Sequence, residues 1–202
     1  MASYSGSGGG GKGGATLLAD PVSVGDWKKG NVEAKVELLE YGDYQCPACG
    51  AYYPMVEKLI KDLGDKFSFV YRQFPLREIH KNAEAAAEAA EAAGKQNKFW
   101  EMHDWLYKNQ ELWAETSNAK ERFADAAASF GLDRAQFEKD RNAREIAAKV
   151  QKDFDGGVKA GINGTPSFYL NGEKIQNPAS YDEFKNLILS KVPSATANGT
   201  KP

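Results

Sequence analysis

The stretch KVELLEYGDYQCPACGAYYPMVEKLIKDL, residues 35–63, decides how the chain is read. Its opening, Lys35–Tyr41, mixes apolar, β-branched and charged residues and reads as a strand. Gly42-Asp43 ends that strand. After Cys46-Pro47-Ala48-Cys49, the residues Tyr52, Met55, Val56, Leu59, Ile60 and Leu63 recur at helical spacing. Pro47 suits the first helical position, where no N–H is needed. A helix therefore starts at Cys46-Pro47, with Cys49 one turn inside it. Gly64 is its expected stop and Pro54 a place where it can kink.

Working outward, Lys66–Phe74 alternates and reads as a second strand. The segments Asn82–Ala93, Lys98–Leu112, Ala119–Phe130, Arg134–Lys139 and Ala143–Ala160 read as helices, with Gly131 and Gly161 as breaks. Ser167–Leu170 and Glu173–Ile175 read as a hairpin about Asn171-Gly172, a type I′ signal. Tyr181–Lys191 is a closing helix with Phe184, Leu187 and Ile188 on one face. The order is β-α-β, a run of helices, then β-β-α. Trp100, Trp105 and Trp113 fall in an amphipathic stretch and read as core or interface. Trp27 has no part in this pattern.

The ends differ from the middle. Residues 1–14 are Gly/Ser-rich and read as a flexible linker or tag, and residues 194–202 as a flexible tail. Residues 15–193 remain as one domain, with a helical insertion over about 80–160. No stretch approaches the ~20 apolar residues of a membrane span. With 26 basic and 28 acidic residues the net charge is −2, which argues against a nucleic-acid partner. The two cysteines are too few for a disulfide scaffold or a four-cysteine zinc site. The two histidines, His80 and His103, have no zinc-finger spacing to them. Neither a metal nor a cofactor is expected.

The segments EYGDYQCPAC (40–49), RQFPL with HKNA (72–83), KFWEMHDWLYKNQ (98–110) and GINGTPSFYLNGEKI (161–175) resemble the DsbA-like thiol–disulfide oxidoreductase family. They stand in the family's order and cover roughly residues 32–190. The resemblance implies an α/β thioredoxin fold with an inserted helical subdomain. It implies an enzyme that oxidises reduced or misfolded substrate proteins outside the cytoplasm, in the periplasm or tethered at the cell surface. A membrane re-oxidase or other redox partner would restore it. The resemblance also implies a cis Thr165–Pro166 bond beside the disulfide, with the Thr165 main chain offered to a substrate strand.

Disulfide exchange needs a thiolate as attacker and as leaving group. A helix N-terminus offers free N–H groups and a positive dipole end, both of which favour a thiolate on Cys46. Cys49, one turn deeper, is then the resolving thiol. Pro47 and Ala48 between them tune the pair. Family members with histidine in place of Ala48 gain an extra stabiliser of the thiolate, so this chain departs from the most strongly oxidising pattern. Glu40 continues the apolar row of Val36 and Leu38 by the period of two. It stands six residues before Cys46, where the family has a buried acid. Desolvation would raise its pKa and let it accept the Cys49 proton through water. The alternatives are a glutamate reaching solvent and a structural disulfide in a non-catalytic binding module. A reductase or isomerase is a further alternative. Isomerases of this kind usually add a dimerisation module, for which the chain before the first strand leaves little room, so a monomer is expected.

Overall fold

A computed structural model describes residues 16–193, so the segments read as linker (1–14) and tail (194–202) lie outside the described residues. In chain order the elements are β1 (Trp27–Gly30), β2 (Val36–Gly42), α1 (Pro47–Leu63) and β3 (Phe67–Gln73). Six helices follow: α2 (Ala83–Lys95), α3 (Phe99–Lys108), α4 (Gln110–Trp113), α5 (Ala119–Ser129), α6 (Arg134–Arg141) and α7 (Arg144–Lys159). The chain closes with β4 (Ser167–Leu170), β5 (Glu173–Lys174) and α8 (Tyr181–Lys191). The sheet order is β1-β3-β2-β4-β5. β2 is parallel to β3, and the other pairs are antiparallel. This is a thioredoxin fold with α2–α7 inserted between β3 and β4.

The period of two along each strand divides the core between the two faces of the sheet. Val36, Leu38, Phe67, Phe69, Tyr71, Phe168 and Leu170 belong to the larger cluster, with α1, α8 and the inserted helices. Leu39, Tyr41, Val70, Phe74 and Tyr169 belong to the smaller one, which Phe154 of α7 packs against. α2 owes its central place in the insertion to its alanines. Ala86, Ala89, Ala90, Ala92 and Ala93 are buried, and such side chains lose no rotamer entropy on burial.

Two features differ from the sequence reading. β1 was not foreseen. Its four residues, WKKG, carry too little pattern, and pairing makes the strand: Trp27 lies opposite Tyr71 and Gly30 opposite Ser68. Trp27 stacks on Phe99 with ring centroids 4.5 Å apart and donates its indole N–H to Glu91 Oε2 at 2.8 Å. The expected single helix over 98–112 breaks at Asn109, whose backbone leaves the helical region and whose Nδ2 donates to Trp105 O at 2.9 Å. In agreement with the sequence reading, α1 runs through Pro54 to Leu63. The hairpin has φ of 51° at Asn171 and 80° at Gly172, the two positive values a type I′ turn needs.

Candidate active site

The loop from Gly42 to Gln45 leaves the end of β2 and delivers Cys46 to the start of α1. Cys46 is the N-cap residue, extended at φ −68° and ψ 121°, and its carbonyl accepts the Gly50 N–H at 3.1 Å. Pro47 opens the helix, and it and Ala48 are exposed. Cys46 is 7% exposed and Cys49 fully buried, both as free thiols.

The two sulfurs have opposite electrostatics. Cys46 is drawn down from 9.0 to about 5. The largest cause is the hydrogen bond from the Cys49 thiol. Burial opposes it, and the Thr165 hydroxyl and the Cys49 and Ala48 N–H groups add to the lowering. The helix end thus contributes, but the neighbouring thiol contributes more. Burial pushes the Cys49 thiol well up, and its hydrogen bond to Cys46 and the Glu40 charge push the same way.

Glu40 lies on the Leu38 side of β2 and is 3% exposed. Burial, then the charge of Cys46, raises its carboxyl from 4.5 to about 8. The glutamate is therefore buried, not at an edge reaching solvent. Pairing of β4 with β2 sets Ser167 opposite Tyr41 and Phe168 opposite Glu40, which carries Thr165 to the cysteines. The Cys46 thiol donates to the Thr165 carbonyl at 3.4 Å, and the Thr165–Pro166 bond is cis. The Thr165 hydroxyl is buried and bonds to no other group among the described residues, which leaves it to the Cys46 thiolate.

Sequence reading did not find the groups that hold the loop. Asp43 Oδ1 accepts the Gln45 N–H at 2.7 Å. Its Oδ2 accepts the Leu76 N–H at 2.9 Å and lies 2.7 Å from His80 Nδ1. Gln45 donates to Ala114 O and accepts from Asn82 N, and Gln110 donates to the loop's main chain. Asp43, Gln45, His80, Asn82 and Gln110 all fall in segments that carry the family resemblance, yet their contacts have no local signature. His80 faces Asp43, whereas His103 is enclosed by the rings of Tyr44, Tyr71 and Trp100. Among the described residues no helix is long and apolar enough to cross a membrane.

Residues 23–189 match the family described as thioredoxin. The chain is 39% identical over 168 residues to the Na(+)/H(+) antiporter NhaA 1 of Salinispora arenicola, covering 82% of this chain and 24% of that protein. It thus spans about a quarter of that relative's length. It is 32% identical over 189 residues to disulfide bond formation protein D of Bacillus subtilis, covering 90% of this chain and 83% of that one. The crystal structure of oxidised BdbD from Bacillus subtilis superposes with a TM-score of 0.75 at 28% identity, over 88% of this chain and 98% of that one. With its thioredoxin sheet interrupted by α2–α7, the chain belongs to the DsbA-like thiol–disulfide oxidoreductases of the thioredoxin family.

Proposed function

We propose that the chain oxidises cysteine pairs in substrate proteins through Cys46-Pro47-Ala48-Cys49. The observation that carries this reading is the asymmetry of the pair: Cys46 lowered to about 5 and Cys49 raised, side by side at one helix start. In the oxidised enzyme a substrate thiolate attacks Cys46 Sγ. The Cys46–Cys49 bond breaks and its electron pair leaves on Cys49. Cys49 is too basic to remain charged, and Glu40, which holds a proton up to about 8, supplies one through water. A second substrate thiolate then attacks the substrate sulfur of the mixed disulfide. Cys46 leaves as a thiolate, and a low-pKa thiol leaves fast. The substrate loses two electrons to the cysteine pair, and its two thiol protons pass to Cys49 and to solvent.

The Thr165 main chain, next to Pro166, docks the substrate in the manner of an added strand. A membrane re-oxidase or other redox partner then removes the two electrons, outside the cytoplasm. Equilibration with glutathione buffers, alongside oxidation of a reduced test protein, tests the reading. A potential less negative than about −200 mV with turnover of the test protein supports it. A potential near the roughly −270 mV of a reductase such as thioredoxin, or a pair that does not exchange, overturns it.

A further inference from the structure

Gln110 opens α4, in the inserted helices and remote in sequence from the cysteines. Its Nε2 donates to two main-chain carbonyls of the loop that carries the thiols, Tyr44 O at 2.6 Å and Cys46 O at 3.0 Å. The Cys46 carbonyl already accepts the Gly50 N–H, the first-turn bond of α1. A carbonyl has two lone pairs, so the helix and the Gln110 amide hold the same oxygen together.

Gly50 is a second, independent sign. A Cβ at this position would lie 2.8 Å from Gln110 Oε1 and 3.4 Å from its Nε2. Gly50 is not among the residues of positive φ, so its backbone does not need glycine. Inside a helix glycine is disfavoured by about 1 kcal/mol relative to alanine. What it provides here is room for the Gln110 amide.

The need for such a brace follows from Cys46 being an N-cap residue. Its extended backbone joins the helix ladder only through its carbonyl, so α1 alone does not fix the chain that leads into it. Of the donors that reach its sulfur, those on Ala48 and Cys49 lie within α1 and the Thr165 hydroxyl lies outside it. Hydrogen bonds weaken steeply when misaligned, so the loop and the helix must be held in one geometry.

We propose that Gln110 is a positioning residue for the redox pair: by bracing the Tyr44–Cys46 main chain through space left by Gly50, it keeps the Cys46 sulfur within reach of its donors on α1. It touches no reacting atom. The inference rests on the proposed redox role of Cys46 and deepens it.

The test compares the parent with Gln110→Ala, Gln110→Met, Gly50→Ala and the Gly50→Ala/Gln110→Ala double variant. Gln110→Met keeps length without a donor. The readouts are the iodoacetamide labelling rate of Cys46 against pH, thiolate absorbance and thermal melting. Each single variant should label Cys46 more slowly at pH 5, on the order of fivefold, the scale of one neutral hydrogen bond. Gly50→Ala should add less than twofold in the Gln110→Ala background, because it acts through the amide. Parental labelling and titration in both Gln110 variants overturn the inference, as does an equal Gly50→Ala effect in both backgrounds. If Gln110→Ala does not fold, Gln110→Met and Gly50→Ala decide by the same readouts. A parent in which Cys46 labels no faster than Cys49 at pH 5 overturns the redox reading and this inference with it. A fast parent with unchanged variants overturns this inference alone.

Discussion

Replacing Glu40 with glutamine in the reduced protein tests the buried acid through the pH dependence of stability. The carboxyl titrates at about 8 in the folded chain against an ordinary 4.5. Below 4.5 both states hold the proton and the group adds no slope. Between these values the unfolded chain has released the proton and the folded chain keeps it, so stability falls as pH rises, by about 1.4 kcal/mol per pH unit. The cost reaches about 3 kcal/mol at pH 7 and levels off near roughly 5 kcal/mol above pH 8. Glu40→Gln has no such proton to release. Its stability relative to the parent should therefore grow by about 3 kcal/mol between pH 4.5 and pH 7.

Cys46 contributes the opposite slope, since its folded pKa is lowered from 9.0 to about 5. That slope is common to both proteins, so their difference isolates Glu40. Urea unfolding in the presence of reductant at four pH values between 4.5 and 8.5 measures it. Packing changes caused by the amide shift all values together, which leaves the slope as the deciding quantity. The oxidised pair should show a smaller growth, because the Cys46 charge no longer adds to burial. A difference that stays flat from pH 4.5 to 8.5 refutes a buried, proton-holding Glu40.

In the reduced protein at pH 6, iodoacetamide should label Cys46 rapidly and leave Cys49 unlabelled, read by mass spectrometry; equal labelling contradicts the assignment of attacker and resolver. Ala48→His should lower the Cys46 pKa and make the potential more oxidising together, because one interaction with the thiolate drives both. If it moves neither, the dipeptide does not set the poise. Thr165→Val should raise the Cys46 pKa above about 5 and slow labelling at pH 5, since the hydroxyl is one of the groups that lower it; an unchanged titration removes that role. Phe184 is fully buried with its ring edge-on to Phe168 at 5.0 Å, so Phe184→Ala should cost about 3–5 kcal/mol in urea unfolding. A cost under about 1 kcal/mol contradicts its place in the core.

The sequence by itself determined the local elements and the pair of thiols. Strand alternation in 35–41 and 66–74, the helical recurrence after Pro47 and the Asn171-Gly172 turn are short-range signals, set by backbone sterics and side-chain period. Together with the quoted motifs they carried the thioredoxin fold, the inserted helices and the burial of Glu40. Tertiary structure decided what depends on contacts between distant segments. β1 is a strand because β3 offers it an edge, and Trp27 has a place because Phe99 and Glu91 come to it. Asn109 breaks a helix whose apolar pattern continues across it. The acidity of Cys46 rests first on the Cys49 thiol, one helical turn away, but also on Thr165, which the β2–β4 pairing brings from 119 residues along the chain. The braces on the Gly42–Cys46 loop come from His80, Asn82 and Gln110, on segments made adjacent only when the insertion packs against α1. A single polar side chain bonding to a remote main chain leaves no period in sequence, because its partner is chosen by folding and not by spacing.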